Sequence, residues 1–132
     1  MVCVYCGHET AVVNSRRQRR GNQVWRRRQC QRCKAVFTSL EKTDYALAWA
    51  VSRDGRSKPF SSDKLFLSLY RSCQHRKTAL EDARSLTNTV IDKLAGYVHD
   101  GRVDAGDIAK VAGVALSRFD AAASVNYQAF HA

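Results

Sequence analysis

Four cysteines within the first 33 residues stand in two pairs, and two residues separate the members of each pair. Cys3-x-x-Cys6 and Cys30-x-x-Cys33 have 23 residues between them. Each pair can form a tight knuckle whose sulfurs point at one centre, and two knuckles complete a tetrahedral site of four thiolates. Gly7 follows the first pair and suits a turn, because glycine accepts positive φ. The spacing predicts a zinc site.

The alternatives to zinc are a disulfide, a redox dithiol and an iron–sulfur cluster. A bridge between Cys3 and Cys6 would close a very short loop and contribute roughly 2 kcal/mol. Structural zinc contributes about 10–16 kcal/mol in small finger peptides, and a head of some 45 residues has little core of its own. Zinc is therefore favoured, although ligand identity alone leaves iron open. His8 is a rival ligand, but four thiols are already present and we expect it at the surface.

Seven arginines lie between the two cysteine pairs. Val12 and Val13, then Val24 and Trp25, predict short strands, and "RRGN" predicts the turn of a hairpin. Guanidinium groups clamp phosphates and read guanine edges, so the pattern predicts a surface for nucleic acid. Its candidate residues are Arg16, Arg17, Arg19 and Arg20 around one end, and Arg26, Arg27 and Arg28 along the returning strand. Alternation along a strand places Arg26 and Arg28 on one face and Arg27 on the other.

The formal net charge of +10 is distributed unevenly along the 132 residues. Residues 1–45 carry ten Lys/Arg against three Asp/Glu, whereas residues 46–132 carry twelve against nine. This asymmetry predicts a head that binds a polyanion and a body with another task. Charge alone leaves acidic lipid open as the polyanion. The longest apolar run, 45–51, falls far short of the roughly 20 residues of a membrane span, and "MVCVYCGHE" has no secretory pattern. We expect a cytoplasmic, nucleoid-associated protein.

The body begins with a hairpin and a helix. Residues 45–61 contain two extended runs joined by Asp54–Gly55, a dipeptide typical of tight turns. Ser61 or Ser62 can cap the helix that follows. Its apolar residues recur on one face: Leu65, Phe66, Leu69, Tyr70 and Cys73. Because Cys73 belongs to that stripe, we interpret it as a small buried apolar group rather than a nucleophile or ligand.

Two more amphipathic helices and a short final one are predicted. Thr78 with Glu81 has the form of a capping box, and "HDG" at 99–101 is expected to end that helix. Its apolar face comprises Leu80, Ala83, Leu86, Val90, Ile91, Leu94 and Val98. Asp104 is expected to cap the next helix, which contains Ile108, Val111, Ala115 and Leu116, and a last helix runs from Val125 to Phe130. A hairpin over a small helical bundle would bury each apolar face.

The sequence of the body shows no catalytic constellation. His75, His99 and His131 lie in unrelated local settings, without a Ser/His/Asp or His-Glu pattern. A Walker loop and a G-x-G-x-x-G fingerprint are both absent from the sequence. We therefore expect a protein that is not an enzyme.

The order of several motifs resembles the bacterial ribonucleotide-reductase repressor family, NrdR. They are "CVYCGHETAVVNSR", "GNQVWRRRQCQRCKAVFTSLE", "VSRDGRSKPFSSDKL" and "RSCQHR". Each motif alone is weak, whereas their order and spacing over nearly the whole chain are specific. The resemblance implies an α+β fold with a zinc-ribbon DNA-binding domain at 1–44. It also implies an ATP-cone nucleotide-sensing domain at 45–132, a mostly helical bundle capped by a small sheet.

The resemblance further implies a nucleotide-responsive repressor of ribonucleotide reductase genes. ATP and dATP would be its allosteric ligands, and its homo-oligomeric state would change with nucleotide. Carried onto this chain, the nucleotide-binding positions are Val51, Arg53, Asp54 and Lys64. Three positions depart from the family pattern: Ser52 replaces a lysine, Lys58 an acidic residue and Ala105 a hydroxyl residue. We expect the loss of the cation at Ser52 to weaken phosphate attraction and Lys58 to restore part of it.

Two other functions remain as alternatives. The first is a general nucleic-acid-binding protein, with a zinc ribbon and a degenerate cone. The second is a protein-interaction module that acts on the reductase directly.

Overall fold

The structure is a computed structural model that describes residues 1–131. The chain divides into two compact units, Met1–Thr43, here called the head, and a second that begins at Asp44, here called the body. The head contains the strands β1 (Thr10–Gln18), β2 (Gln23–Cys30) and β3 (Val36–Lys42). They form one antiparallel sheet in the order β1-β2-β3.

The predicted hairpin of the head is present, but its strands are longer than the short apolar pairs suggested. The arginine-rich segments belong to β1 and β2, and β3 adds a strand that the hydrophobic pattern did not predict. Backbone pairing explains the difference, because a small sheet with both faces open to solvent accepts polar side chains along its whole length.

The body contains five helices and three strands among its described residues. These are α1 (Tyr45–Ala48), β4 (Ala50–Arg53), β5 (Arg56–Pro59), α2 (Ser62–Ser72), α3 (Ala79–Leu94), β6 (Arg102–Asp104), α4 (Ala105–Phe119) and α5 (Ala121–Phe130). The sheet has the order β5-β4-β6, in which β4 is antiparallel to β5 and parallel to β6. The predicted fold class, α+β with a small sheet on a helical body, is confirmed.

The start of the body differs from the predicted pair of extended runs. Residues 45–48 form α1, and only Ala50–Arg53 is a strand on this side of the turn. The Asp44 side chain accepts a hydrogen bond from the Leu47 backbone N–H, which begins the helix. The tight turn is confirmed, because Asp54 and Gly55 have φ values of 51° and 76°, as a two-residue hairpin loop requires.

The predicted caps of α2 and α4 are confirmed, whereas the predicted cap of α3 is wrong. Ser61 caps α2 by accepting from the Lys64 N–H, and Asp104 caps α4 by accepting from the Gly106 N–H. The Thr78–Glu81 capping box is wrong. The Thr78 side chain makes no cap hydrogen bond, and its hydroxyl donates to Asp82 instead.

The structure also differs from the predicted apolar face of α3 at both of its ends. Leu80 is 43% exposed, and the buried position at this end of the helix is Ala79. The helix ends at Leu94, five residues before the predicted "HDG" stop, because residues 95–97 form a turn. The last helix begins at Ala121 rather than Val125, since Asp120 caps it.

The body has one hydrophobic core, to which the helices and strand β6 contribute. Leu69 of α2, Leu94 of α3 and Leu116 of α4 are fully buried, and Val103 of β6 is nearly so. Cys73 is also fully buried and belongs to this core, in agreement with its place in the apolar stripe. Within residues 1–131, no helix is long and apolar enough to cross a membrane.

Candidate metal centre, basic sheet and ligand cavity

The four paired cysteines of the head meet at one point. Their sulfur atoms all lie within 4.8 Å of one another. The Cys3 and Cys33 sulfurs are 3.7 Å apart, and those of Cys6 and Cys30 are 3.4 Å apart. Four thiolates bound to one zinc ion at about 2.3 Å lie roughly 3.8 Å apart, whereas a disulfide requires about 2.05 Å. The cluster therefore fits tetrahedral zinc, and the residues that would hold the ion come from both knuckles.

The two knuckles repeat the same backbone pattern. The Cys3 N–H donates to the His8 carbonyl at 2.6 Å, and the Cys30 N–H donates to the Ala35 carbonyl at 2.9 Å. The residue after each second cysteine has positive φ, 78° at Gly7 and 63° at Lys34. The Cys-x-x-Cys spacing thus folds into the same sharp turn twice, and each turn directs its two sulfurs to the shared centre.

Backbone N–H groups favour the thiolate form of two of these ligands. The Cys33 and Arg32 N–H groups donate to the Cys30 sulfur and lower the pKa of Cys30 to about 6. The Tyr5 N–H likewise donates to the Cys3 sulfur and lowers the pKa of Cys3. Since the thiolate is the form that binds metal, these donors favour the metal-binding form of Cys3 and Cys30.

His8 lies outside the sulfur cluster, as expected of a surface residue. It is exposed, and its ring contacts the Arg32 guanidinium at 2.7 Å. Among residues 1–131, the four cysteines are the only group of three or more candidate metal ligands with converging atoms.

The seven candidate DNA-binding arginines of the head are distributed over both faces of the sheet. Cross-strand partners share a face, so the register places Arg17, Arg26 and Arg28 on one face, here called the triad face. Arg16 and Arg27 lie on the opposite face. Arg19 and Arg20 lie in the turn between β1 and β2. The predicted opposition of Arg27 to its two neighbours thus agrees with the strand register, while the set as a whole does not form a single patch.

Hydroxyl groups orient two of the three guanidinium groups of the triad face, those of Arg26 and Arg28. Arg26 donates to the Ser15 hydroxyl at 2.9 Å and contacts Glu41 at 3.4 Å. Arg28 donates to the Ser39 hydroxyl at 2.9 Å. On the opposite face, Arg27 contacts the Thr38 hydroxyl at the longer distance of 3.4 Å. The triad face is therefore the better ordered of the two cationic surfaces.

Trp25 lies on the face opposite the triad. It is half-buried, and the register pairs it with Arg16 on one side and Leu40 on the other. In this position the apolar area of the Trp25 side chain can cover part of the sheet and stabilise it.

A cavity of about 740 Å³ opens in the body between the β4–β5 hairpin and the helices. All four predicted nucleotide-binding residues, Val51, Arg53, Asp54 and Lys64, line it. Its apolar wall includes Phe60, Leu65, Ile108, Ala109 and Tyr127. The cavity therefore combines a cationic rim with an apolar interior, a combination that can bind a molecule with an anionic part and a flat apolar part.

Several cavity residues lay outside the predicted set. Arg56 comes from β5, and Tyr127 and His131 come from the end of α5. Strand alternation could have found Arg56, because it pairs directly with Arg53 across the turn. The chain shows no local signal for the α5 residues, since only tertiary packing brings them here. Of the three departures from the family pattern, Lys58 and Ala105 line this cavity, whereas Ser52 does not.

A network of charged side chains joins the α2–α3 connection to the start of α5. Arg76 binds Asp82 and Asp120, each at 2.8 Å, and His75 lies 3.1 Å from Asp120. The Ala123 N–H, followed by Arg76 and His75, holds the pKa of Asp120 at about 2. Arg76 and the Thr78 hydroxyl lower the pKa of Asp82. The sequence pattern treated His75 as isolated, because its partner is 45 positions away.

The sheet and the sulfur cluster define a zinc-ribbon protein. Residues 1–41 match the family described as "Transcriptional repressor NrdR-like, N-terminal domain". A transcriptional repressor NrdR of Streptococcus pneumoniae is 31% identical over 121 residues, which cover 91% of this chain and 76% of that protein. The chain belongs to the NrdR family of transcriptional repressors.

A second relative is more similar over a shorter segment. A transcriptional repressor NrdR of Thermus thermophilus is 40% identical over 97 residues, or 73% of this chain. The matched segment spans 63% of that relative's length.

Proposed function

We propose that the protein is a regulator rather than an enzyme, a nucleotide-responsive repressor that binds double-stranded DNA upstream of ribonucleotide reductase genes. It would act in the cytoplasm at the nucleoid. The observation that carries the proposal is the triad face, because it presents oriented guanidinium groups on a sheet that four converging cysteines can hold rigid. Membership in a family of transcriptional repressors supports it.

The triad face is the surface we assign to DNA. Arg26 and Arg28 are already fixed by serine hydroxyls, so less side-chain freedom is lost when they contact a phosphate or a guanine edge. Bound zinc would hold the sheet that carries them. Arg19 and Arg20, in the turn at the edge of this sheet, would extend the contact along the backbone of the duplex.

The cavity of the body is the site we assign to ATP and dATP. Its cationic rim suits the phosphates and its apolar wall suits the base. Nucleotide bound there would favour one homo-oligomeric arrangement, which would set the spacing of the heads. Two DNA boxes could then be bound at once, with a gain in effective concentration that a mis-spaced assembly would lose.

The salt dependence of DNA binding tests the assignment of the triad face. Each phosphate contact contributes a slope of about −0.9 in a plot of log affinity against log salt. Arg28→Ala and Arg17→Ala should each reduce the slope by about one unit, measured by fluorescence anisotropy on an operator duplex. Arg27→Ala on the opposite face is the matched control and should leave the slope unchanged. Equal slopes for the wild type and all three variants would remove the triad face from the interface.

Two further measurements separate the proposal from its alternatives. Competition among operator duplex, random duplex and RNA at fixed salt distinguishes a repressor from a general nucleic-acid-binding protein. Sedimentation with increasing ATP or dATP tests the switch, and Lys64→Ala should shift the response to higher nucleotide concentration. If neither nucleotide changes the sedimentation profile or the operator affinity, the nucleotide response is wrong.

A further inference from the structure

The cavity of the body has an unusual balance of charges along its lining. Within residues 1–131, four cationic side chains, Arg53, Arg56, Lys58 and Lys64, line the cavity together with a single carboxylate, Asp54. All four cations are exposed to solvent. Among residues 1–131, the ion pairs are formed by other side chains, so none of the four has a carboxylate partner.

The strand register explains why these charges converge. Arg53 pairs directly with Arg56, and Val51 pairs with Lys58. Direct partners share a face and so do residues two apart, hence all three cations of the hairpin lie on the face that lines the cavity. Lys64 adds a fourth from the first turn of α2, where the helix dipole is also positive.

Close like charges repel one another, and a multiply charged anion relieves the repulsion. The size of the cavity, about 740 Å³, falls within the range of small-molecule sites. Its charge therefore matches a polyphosphate, whose negative charges the side chains themselves can neutralise.

The same lining is poorly suited to a magnesium ion. Mg²⁺ in nucleotide sites is usually held by one or two carboxylates together with the phosphates and water. Among the described residues of the lining, Asp54 is the single carboxylate, and it lies in the tight turn with φ of 51°. Arg56 and Lys58 add positive charge to the cavity lining, and they would repel a divalent cation there.

We infer that this cavity binds its nucleotide as the metal-free polyphosphate, with Arg56 and Lys58 supplying the charge that Mg²⁺ supplies in other nucleotide sites. The inference rests on the proposed nucleotide response and specifies the form of its ligand. Chelation of the phosphates by Mg²⁺ makes their net charge less negative, so the magnesium complex should bind more weakly.

Calorimetric titration of the full chain with ATP tests the inference, first in buffer that a chelating resin has freed of divalent cations before the protein is added, and then with excess MgCl₂. No soluble chelator contacts the protein, so the thiolate site is not stripped, and the two solutions have the same ionic strength. We expect the dissociation constant to rise about tenfold in MgCl₂, the ratio that loss of one to two screened charge contacts produces.

Charge reversal in the cavity provides the matched comparison. Lys58→Glu should weaken metal-free binding and bring the two dissociation constants together or reverse their order, because it adds a second carboxylate to the lining. Lys77→Glu makes the same charge change in the α2–α3 connection, outside the lining, and should keep the preference for metal-free ATP. Circular dichroism confirms that both variants are folded.

The outcomes separate the inference from the function on which it rests. If the wild type binds ATP equally well or more tightly in MgCl₂, the inference is overturned and the nucleotide response stands. The same conclusion follows if Lys58→Glu and Lys77→Glu change the preference for metal-free ATP alike. Binding in neither solution overturns both.

Discussion

The head and the body stabilise their folds by different means. Among the described residues of the head, the buried hydrophobic side chains are Cys3 and Cys30, both of them candidate metal ligands. Val4, Tyr5 and Val13 are each more than half exposed. The body instead has a continuous core of seventeen buried residues. The head is organised around the sulfur cluster, and the body is organised around a hydrophobic core.

This difference explains how the head can carry so much charge. A sheet that buries a face against helices must give that face to apolar side chains. The head needs neither face for a core if an ion holds its knuckles together, so both faces are free for arginine. The body has no such freedom, because its α2, α3 and α4 helices each bury an apolar stripe.

Metal removal should have the largest effect, because it should unfold the head while the body stays folded. Structural zinc contributes about 10–16 kcal/mol in finger peptides, as much as the whole stability of a typical small domain. We expect a strong chelator, or Cys30→Ser, to unfold the head and leave the helices of the body intact. Heteronuclear NMR would show collapsed amide dispersion for residues 1–43 alone. Retained dispersion in the head would contradict the comparison.

In the body, the charged network around Asp120 should give a smaller, pH-dependent effect. Asp120→Asn keeps a capping side chain for α5 but removes the charge that faces Arg76 and His75. We expect the Tm at neutral pH to fall by several degrees. Asp100→Asn, in an exposed turn without an ion pair among the described residues, is the control and should change the Tm little.

The sign of the pH dependence follows from the pKa of Asp120. Its pKa is about 2 in the folded protein against an ordinary value near 3.8, so the folded state favours the carboxylate. The stabilisation is present above the ordinary value and is lost as the pH falls through about 2. Thermal scans should therefore show the wild type and Asp120→Asn converging between pH 4 and pH 2. A gap that stays constant over that range would mean the charge does not stabilise the fold.

The smallest expected effect is on the free energy of unfolding, and it comes from a difference in backbone strain between the two knuckles. Lys34 has φ of 63°, where a side chain is strained, whereas Gly7 holds the equivalent position without strain. Lys34→Gly should stabilise the head by about 0.5–1 kcal/mol, and Gly7→Ala should destabilise it by a similar amount. An alanine Cβ at Gly7 meets no atom within 4 Å, so its effect reports backbone strain alone. Urea unfolding of the zinc-loaded protein measures both, and equal midpoints would show that the turns tolerate either residue.

Local signals predicted the parts of the molecule that depend on local chemistry. The cysteine spacing indicated the sulfur cluster, Asp54–Gly55 indicated its turn, and Asp104 indicated the start of α4. Strand β6 was missed because its three residues pair with β4 from about fifty positions away. The capping box at Thr78 was wrong for the same reason, since Arg76 draws Asp82 and Asp120 together and the Thr78 hydroxyl joins that network.

The candidate sites also contain residues that the local sequence predicts and residues that only the tertiary fold brings together. The residues of the cavity that belong to one hairpin and the adjoining helix could be named from the chain. Tyr127 and His131 could not, because α5 reaches the cavity only through the fold of the body. The split of the arginines between two faces needed the register of β1 against β2, which a bulge between Val12 and Asn14 shifts by one residue.

The reactivity of the five thiols shows which of the two units has unfolded, because the fifth cysteine, Cys73, lies in the body. Cys73 has no exposed surface, and burial raises the pKa of its thiol, so an alkylating reagent reaches it only when the helices separate. The other four sulfurs become reactive when their ion leaves. Counting labelled thiols by mass thus registers two separate events in one chain, four added labels for the loss of the ion and a fifth for the melting of the core.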